Sequence, residues 1–177
     1  MKAIILKSVS VVTLFAIISL GSCNIYDVPK QGTCTREIPA NKITGVDQSQ
    51  LQKDVAAIEK YLKDNSITAI KDPSGLYYEI TKQGDDARPC LEKAILVKYT
   101  GKLMANGEIF DSDSKGAAFQ LNTLIVGWQI GLLKVGRKSS ITLYVPSVYG
   151  YGVDGFGTRI PTNSNLIFTI DLEDLQE

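Results

Sequence analysis

The chain has 177 residues, of which 44% are hydrophobic and 21% are charged, a composition typical of one globular domain with additional segments. Basic and acidic residues both number 19, so no excess of positive charge favours nucleic acid or an anionic surface as a partner. The sequence contains no histidine, and its three cysteines lack the spacing of metal ligands. These counts exclude most hydrolase and metalloenzyme mechanisms, and we expect neither a cofactor nor a metal.

The first 22 residues have the pattern of an export signal. Lys2 and Lys7 precede an apolar run, Val9–Leu20, and small residues follow it. A transmembrane anchor is the alternative, but it needs about 18 or more apolar residues, and this run is shorter. The sequence LGSC, which ends at Cys23, resembles the bacterial lipobox. This resemblance implies that a lipoprotein signal peptide, residues 1–22, is removed and that Cys23 is acylated.

The N-terminal pattern therefore predicts an extracytoplasmic protein that is lipid-anchored to a bacterial membrane through Cys23. The outer membrane is favoured, with the domain facing the periplasm or the cell surface. Cys34 and Cys90 then remain in an oxidising compartment, where an even number of cysteines permits a disulfide. Two buried free thiols are the alternative.

Two segments precede the main domain. Residues 23–46 mix proline and glycine with polar residues and show no period, which predicts a lipid-anchored flexible linker. Asp47 with Gln50 then resembles a capping box, and the pattern predicts an amphipathic helix over 47–65. This helix must dock on the following domain or on a second copy, so we expect a monomer or a weak dimer through it. Its apolar stripe consists of Leu51, Val55, Ile58 and Leu62.

Residues 66–177 are predicted to form the main domain. Alternating apolar residues indicate several strands, and the one short helical candidate among them is Val126–Leu133. The economical fold is α+β: an antiparallel sheet, or half-barrel, wrapped around one short helix and preceded by the amphipathic helix. The predicted strands lie at residues 76–81, 95–103, 118–121, 139–145 and 166–172.

Aromatic residues and glycines recur in this domain in an ordered series of motifs. The series consists of Tyr99-Thr100-Gly101, Ile109-Phe110-Asp111-Ser112, Leu124-Ile125-Val126-Gly127-Trp128, Tyr149-Gly150-Tyr151-Gly152, Ile160-Pro161 and Leu166-Ile167-Phe168. In this order and spacing it resembles the FKBP-type peptidyl-prolyl cis/trans isomerases. Any one of these aromatic residues alone would be read as ordinary core, so the resemblance depends on their joint order.

The resemblance implies an enzyme, a rotamase that isomerises X-Pro bonds of exported or unfolded proteins in an aromatic pocket with Trp128 as its floor. It also implies that proline-containing polypeptides and the macrolide inhibitors of the family bind there. The residues implied to be catalytic are Tyr99, Phe110, Asp111, Trp128, Tyr151 and Phe168. The residues implied to bind substrate are Phe119, Leu124, Ile125, Phe156 and Ile160.

The sequence also departs from the family pattern at three places. Ala117 stands where the family has an aromatic residue, which predicts a thinner pocket wall beside Phe119. Thr162 replaces a second proline, and the loop after Asp111 lacks the arginine of many members, so we expect the Asp111 carboxylate to be less neutralised. The alternative function is a proline-peptide binding module or holdase chaperone with little turnover. The short flap between Tyr151 and Pro161 favours the plain isomerase.

Overall fold

The computed structural model describes residues 34–176, so the predicted signal peptide and Cys23 lie outside the described residues. Within this range every helix is too short or too polar to cross a bilayer. The helices are α1 (Ala40–Thr44), α2 (Gln48–Asp64) and α3 (Val126–Leu132), with 3₁₀ turns at Leu121–Thr123 and Ser147–Tyr149. The strands are β1 (Ile70–Lys71), β2 (Tyr77–Lys82), β3 (Ala94–Leu103), β4 (Ile109–Gln120), β5 (Ser139–Val145) and β6 (Leu166–Gln176).

The strands form one antiparallel sheet in the order β1-β2-β5-β6-β3-β4. Alternate residues of β5, namely Ile141, Leu143 and Val145, are fully buried on one face, as are Leu166, Ile170 and Leu172 of β6. Helix α3 packs on this face, with every residue from Gly127 to Leu132 buried. The predicted α+β fold, a sheet around one short helix, is confirmed.

Two glycines allow α3 to lie close to β5. Gly127 and Gly131 are four residues apart and therefore share one face of the helix. A Cβ atom at Gly127 would overlap the Val145 side chain, and one at Gly131 would overlap Leu143. The absence of side chains at these two positions sets the distance between helix and sheet, and with it the depth at which Trp128 lies.

Strand β4 is much longer than the predicted strand at 118–121. Its first half, from Ile109 to Gly116, is mostly exposed and includes Asp111, Ser112 and Asp113. The sequence shows no apolar alternation there because β4 is the edge strand of the sheet and has only one neighbour, β3. Pairing with β3, and not burial, makes this segment a strand.

Helix α2 docks on the opposite face of the sheet from α3. Ile58 and Leu62 are buried against Tyr77 of β2 and Tyr144 of β5. Because side chains alternate along a strand, Tyr144 points away from the face that carries Leu143. The apolar stripe of α2 is thus covered within the chain, which is the first of the two docking modes that the sequence left open.

The N-terminal end of α2 differs in detail from the predicted capping box. Asp47 Oδ1 accepts hydrogen bonds from the Ser49 and Gln50 N–H groups at 2.9 and 3.0 Å. The Gln50 side chain does not return to Asp47; its Nε2 instead donates to Asp54 Oδ1 at 2.8 Å. Asp54 is 2% exposed and also accepts a 2.6 Å hydrogen bond from the Ser147 hydroxyl. This buried carboxyl fastens α2 to the turn that follows β5.

The sequence predicts a flexible linker over residues 23–46, but the described part of this segment is ordered in the structure. Residues 34–46, here called the N-terminal arm, are packed on the domain. Cys34 is joined to Cys90 by a disulfide with a Cα–Cα distance of 5.1 Å, and the Leu91 N–H donates to Thr35 O at 2.9 Å. Apolar side chains of the arm contact the main core. They show no period in the sequence because α1 is only five residues long and its neighbours are irregular. These apolar residues are Ile38, Ile43 and Val46.

The buried contact between Asp54 and Ser147 generates a stability prediction. Asp54→Ala leaves the Ser147 hydroxyl without its acceptor, so we expect the free energy of unfolding to fall by about 1–3 kcal/mol. The control Asp64→Ala removes an exposed ion pair with Lys60 and should cost less than about 1 kcal/mol. Urea denaturation followed by circular dichroism measures both. If the stability losses of Asp54→Ala and Ser147→Ala are additive in the double variant, the two side chains do not interact directly.

Candidate functional site

A cavity of about 250 Å³ lies between the sheet, the start of α3 and the loop after β5. Its walls come from β3, β4, β6, the turn before α3 and the flap, which is defined here as residues 151–161. Every residue that the resemblance implied to be catalytic lines this cavity. The lining residues are Tyr99, Phe110, Asp111, Phe119, Thr123, Leu124, Ile125, Trp128, Tyr151 and Phe168.

Trp128 is the centre of the aromatic lining. It is 4% exposed, and its ring lies edge-to-face with three others. The ring centroids are 5.2 Å from Tyr99, 5.3 Å from Phe168 and 6.2 Å from Phe119. Each neighbouring ring comes from a different strand, so the floor of the cavity forms only when the sheet and α3 are assembled.

A second aromatic contact explains the glycine of the Tyr99-Thr100-Gly101 motif. The rings of Phe110 and Phe168 meet edge-to-face with centroids 5.5 Å apart. A Cβ atom on Gly101 would lie 2.6 Å from Phe110 Cζ and 2.8 Å from Phe168 Cε1. A side chain at this position would therefore push both rings out of the cavity wall.

The polar part of the site is built around Asp111. The Tyr99 hydroxyl donates to Asp111 Oδ2 at 2.8 Å, and the Ser112 N–H donates to Oδ1 at 3.0 Å. Among residues 34–176 no basic side chain forms an ion pair with Asp111. Arg159 of the flap approaches the same strand but donates to the Phe110 carbonyl at 2.9 Å. Hydrogen bonds to neutral groups hold this carboxyl at the rim of an otherwise apolar cavity.

The two tyrosines of the site keep their hydroxyl protons well into the alkaline range. Burial raises the pKa of Tyr99, and the hydrogen bond to Asp111 raises it further. Burial also raises the pKa of Tyr151; the charge of Asp111 adds to this shift and Arg159 partly offsets it. Both phenols are therefore neutral at ordinary pH, and each keeps an O–H group that can donate a hydrogen bond.

The structure places two of the implied substrate-binding residues outside the cavity lining. Ile160 is 3% exposed and belongs to the core, whereas Phe156 is 54% exposed at the tip of the flap. Their backbones pair: the Phe156 N–H donates to Ile160 O at 2.8 Å, and the Ile160 N–H donates to Phe156 O at 3.2 Å. The Phe156 ring lies 5.2 Å from that of Tyr151, which is in the lining. Phe156 thus extends the aromatic surface outward from the cavity.

Thr123 lines the cavity but was not among the predicted residues. Its hydroxyl donates to Gln120 O at 2.7 Å, within the turn that leads to Leu124 and Ile125. Its place directly before those two residues is the only sequence signal for it. Ala117, by contrast, pairs with Val97 on β3 and does not line the cavity. Within residues 34–176 no three Cys, Asp or Glu side chains come together as potential metal ligands.

Comparison with known proteins gives consistent results. Residues 86–173 match the profile of the FKBP-type peptidyl-prolyl cis-trans isomerases. A probable FKBP-type isomerase of Neisseria meningitidis is 35% identical over 122 residues, which cover 64% of this chain and 43% of that protein. FK506-binding protein 2 of Kluyveromyces lactis is 38% identical over 104 residues, 55% of this chain and 74% of that protein.

A solved structure extends the comparison to the fold. The crystal structure of FkpA from Escherichia coli superposes with a TM-score of 0.62 at 28% identity, covering 73% of this chain and 64% of that chain. The chain spans less than half the length of several curated relatives that it matches. The likeness therefore concerns the domain that carries the cavity.

The raised pKa of Tyr151 generates a spectroscopic prediction. At about pH 10, Tyr151→Phe should lower the tyrosinate absorbance less in the native protein than in denaturant, because the raised pKa leaves this phenol less ionised in the folded state. In denaturant the variant should show the smaller signal, since it has one tyrosine fewer. A difference between the two native proteins as large as the difference in denaturant would contradict the raised pKa.

Proposed function

The chain belongs to the FKBP-type peptidyl-prolyl cis-trans isomerase family, and on that basis we propose that it isomerises X-Pro bonds of exported or unfolded proteins. The observation that carries the proposal is the cavity itself, which has a buried Trp128 floor, edge-on aromatic walls and a few polar side chains in its lining. Such a site excludes water from a bound proline and holds the adjoining peptide bond at its mouth.

The chemistry of the reaction suits an apolar site. Rotation about an amide bond crosses a barrier of about 18–20 kcal/mol because resonance along the C–N bond is lost. The twisted amide is less polar than the planar one, so an apolar, water-excluding surface favours the twisted form over the ground state. No nucleophile and no proton transfer is needed, which agrees with a chain that has no histidine.

The residues of the cavity have different roles in this proposal. The Trp128 ring supports the proline ring from below. The Tyr151 hydroxyl and the Ile125 N–H donate hydrogen bonds to substrate carbonyls and hold the peptide in register. Asp111, held by Tyr99, orients polar groups of the substrate at the rim and does not transfer a proton. We propose a preference for an apolar residue before proline because Phe110, Phe119 and Leu124 leave that side of the cavity without charge. Macrolide inhibitors of the family would compete for the same cavity.

The flap carries an observation that favours the alternative function. Phe156 and Val153 are 54% and 71% exposed, and both would add apolar surface for an unfolded chain to contact beside the cavity. A holdase or proline-peptide binding module would use this surface to retain unfolded chains with little turnover. The two functions share one site and differ only in whether bound peptide is isomerised faster than in buffer.

For location, we propose a lipoprotein anchored through acylated Cys23 on the extracytoplasmic side of a bacterial membrane. The basic and apolar pattern of residues 1–22 supports this proposal, as does the Cys34–Cys90 pairing, since disulfides persist in oxidising compartments.

An assay of cis-to-trans rates on a short Leu-Pro peptide tests the catalytic proposal. Trp128→Ala removes the floor and should lower kcat/KM by about tenfold or more, whereas Tyr151→Phe removes one hydrogen bond and should lower it by about three- to tenfold. Tyr61→Phe on α2, outside the cavity lining, is the matched control and should retain wild-type kcat/KM. A wild-type rate equal to that in buffer, with peptide binding retained, would establish the binding module instead.

Metabolic labelling with a clickable fatty acid tests the anchor. Wild type should be labelled and should partition with membranes, because acyl chains on one residue contribute about 0.8 kcal/mol per buried CH₂. Cys23→Ala should lose the label, and Cys34→Ala should keep it. Unchanged labelling of Cys23→Ala would show that the lipid, if present, is attached elsewhere.

A further inference from the structure

We propose that Gln129 and Lys42 are positioning residues for the isomerase cavity. Neither lines the cavity. Together they hold the backbone of residues 123–125, here called the wall segment, and so aim the Ile125 N–H at the substrate. The inference rests on the proposed role of that N–H group in holding a substrate carbonyl.

Gln129 follows Trp128 in α3 and is 1% exposed. Its Nε2 donates to Leu124 O at 2.6 Å and to Asn122 O at 3.2 Å. The Leu124 carbonyl and the Ile125 N–H belong to the same peptide unit, which is planar and trans. The N–H lies in the same plane and points in the opposite direction, so holding the carbonyl toward Gln129 also fixes the direction of the N–H.

Lys42 determines which way the Gln129 amide faces. Its Nζ donates to Gln129 Oε1 at 3.1 Å, so the oxygen is directed to the ammonium group and the nitrogen to the two carbonyls. An amide satisfies this arrangement completely, because it offers an acceptor on one side and two donors on the other. A carboxylate at position 129 would place an acceptor against two further acceptors, and an apolar side chain would leave both carbonyls unpaired.

The N-terminal arm brings Lys42 to this position. The arm is anchored to residues 90–92 by the disulfide and by the Thr35 N–H, which donates to Glu92 Oε2 at 2.8 Å. The same stretch also holds the turn before the wall segment: the Asn122 N–H donates to Leu91 O at 2.9 Å. The arm thus supports the wall segment from two directions, through Lys42 and Gln129 and through Leu91.

A buried glutamine could also be a satisfied core residue with no influence on the cavity, and two measurements distinguish the two roles. One is kcat/KM on the Leu-Pro peptide. The other is the amide chemical shift and hydrogen exchange of Ile125.

The decisive variants are Gln129→Leu, which keeps the volume and loses both donors, and Lys42→Met. We expect kcat/KM to fall about tenfold for Gln129→Leu and about threefold for Lys42→Met, with a shifted and faster-exchanging Ile125 amide in both. Lys42→Arg should restore most of the activity because it restores the donor. Lys53→Met, at an exposed position on α2, is the control and should match wild type within about twofold. Adding Lys42→Met to Gln129→Leu should lower kcat/KM no further, since both act through one contact.

Folded variants with kcat/KM within about twofold of wild type and an unchanged Ile125 amide would overturn the inference. A second outcome would also overturn it: an activity that falls only in proportion to the amount of folded protein, measured by circular dichroism, while the Ile125 amide of the folded protein is unchanged. If Gln129→Leu does not fold, Lys42→Met decides, because Lys42 is only half-buried. A wild type without turnover would defeat the proposed function instead, while the Ile125 amide would still test the contact.

Discussion

The close approach of α3 to β5 is the contact on which the cavity depends. It is possible because Gly127 and Gly131 present bare backbone to Val145 and Leu143. At this distance from the sheet, the helix places Trp128 over the paired strands β3 and β6, where the rings of Tyr99 and Phe168 meet it edge-on. Larger residues at either glycine would lift the helix, and the floor of the cavity would rise with it. The shape of the site therefore depends first on the distance between the helix and the sheet, and then on the chemistry of the side chains.

Two other segments of the chain support this contact, one on each side of the sheet. Helix α2 covers the outer face through Ile58 and Leu62, and Asp54 ties it to the turn that follows β5 and leads into the flap. The N-terminal arm covers the other side near the end of α3. A reaction that is accelerated by exclusion of water and by alignment of a peptide needs rigid walls more than reactive groups. An extensive supporting shell around a site whose lining has no histidine or cysteine agrees with that requirement.

The charged and polar groups of the site are also held in fixed positions. Asp111 is the one acidic residue in the cavity lining, and its partners among the described residues are a phenol and a backbone N–H. The two tyrosines keep their protons because burial and the nearby carboxylate both disfavour the phenolate. The two phenols are thus hydrogen-bond donors that stay protonated over the ordinary pH range, which suits them to the alignment of a peptide.

The sequence by itself determined the elements whose residues carry a local signal. Alternation marked β3, β5 and β6, and a helical stripe marked α2. The family resemblance named every residue of the cavity lining except Thr123, together with Phe156 and Ile160, which lie outside it. Only the tertiary structure decided the remainder. The polar half of β4 is a strand because β3 pairs with it, and the arm is ordered because scattered apolar residues find the core. Gln129 reads as an ordinary helical residue until the chain brings Lys42 to one side of it and the Leu124 carbonyl to the other. These features depend on contacts between residues distant in sequence, which no local periodicity records.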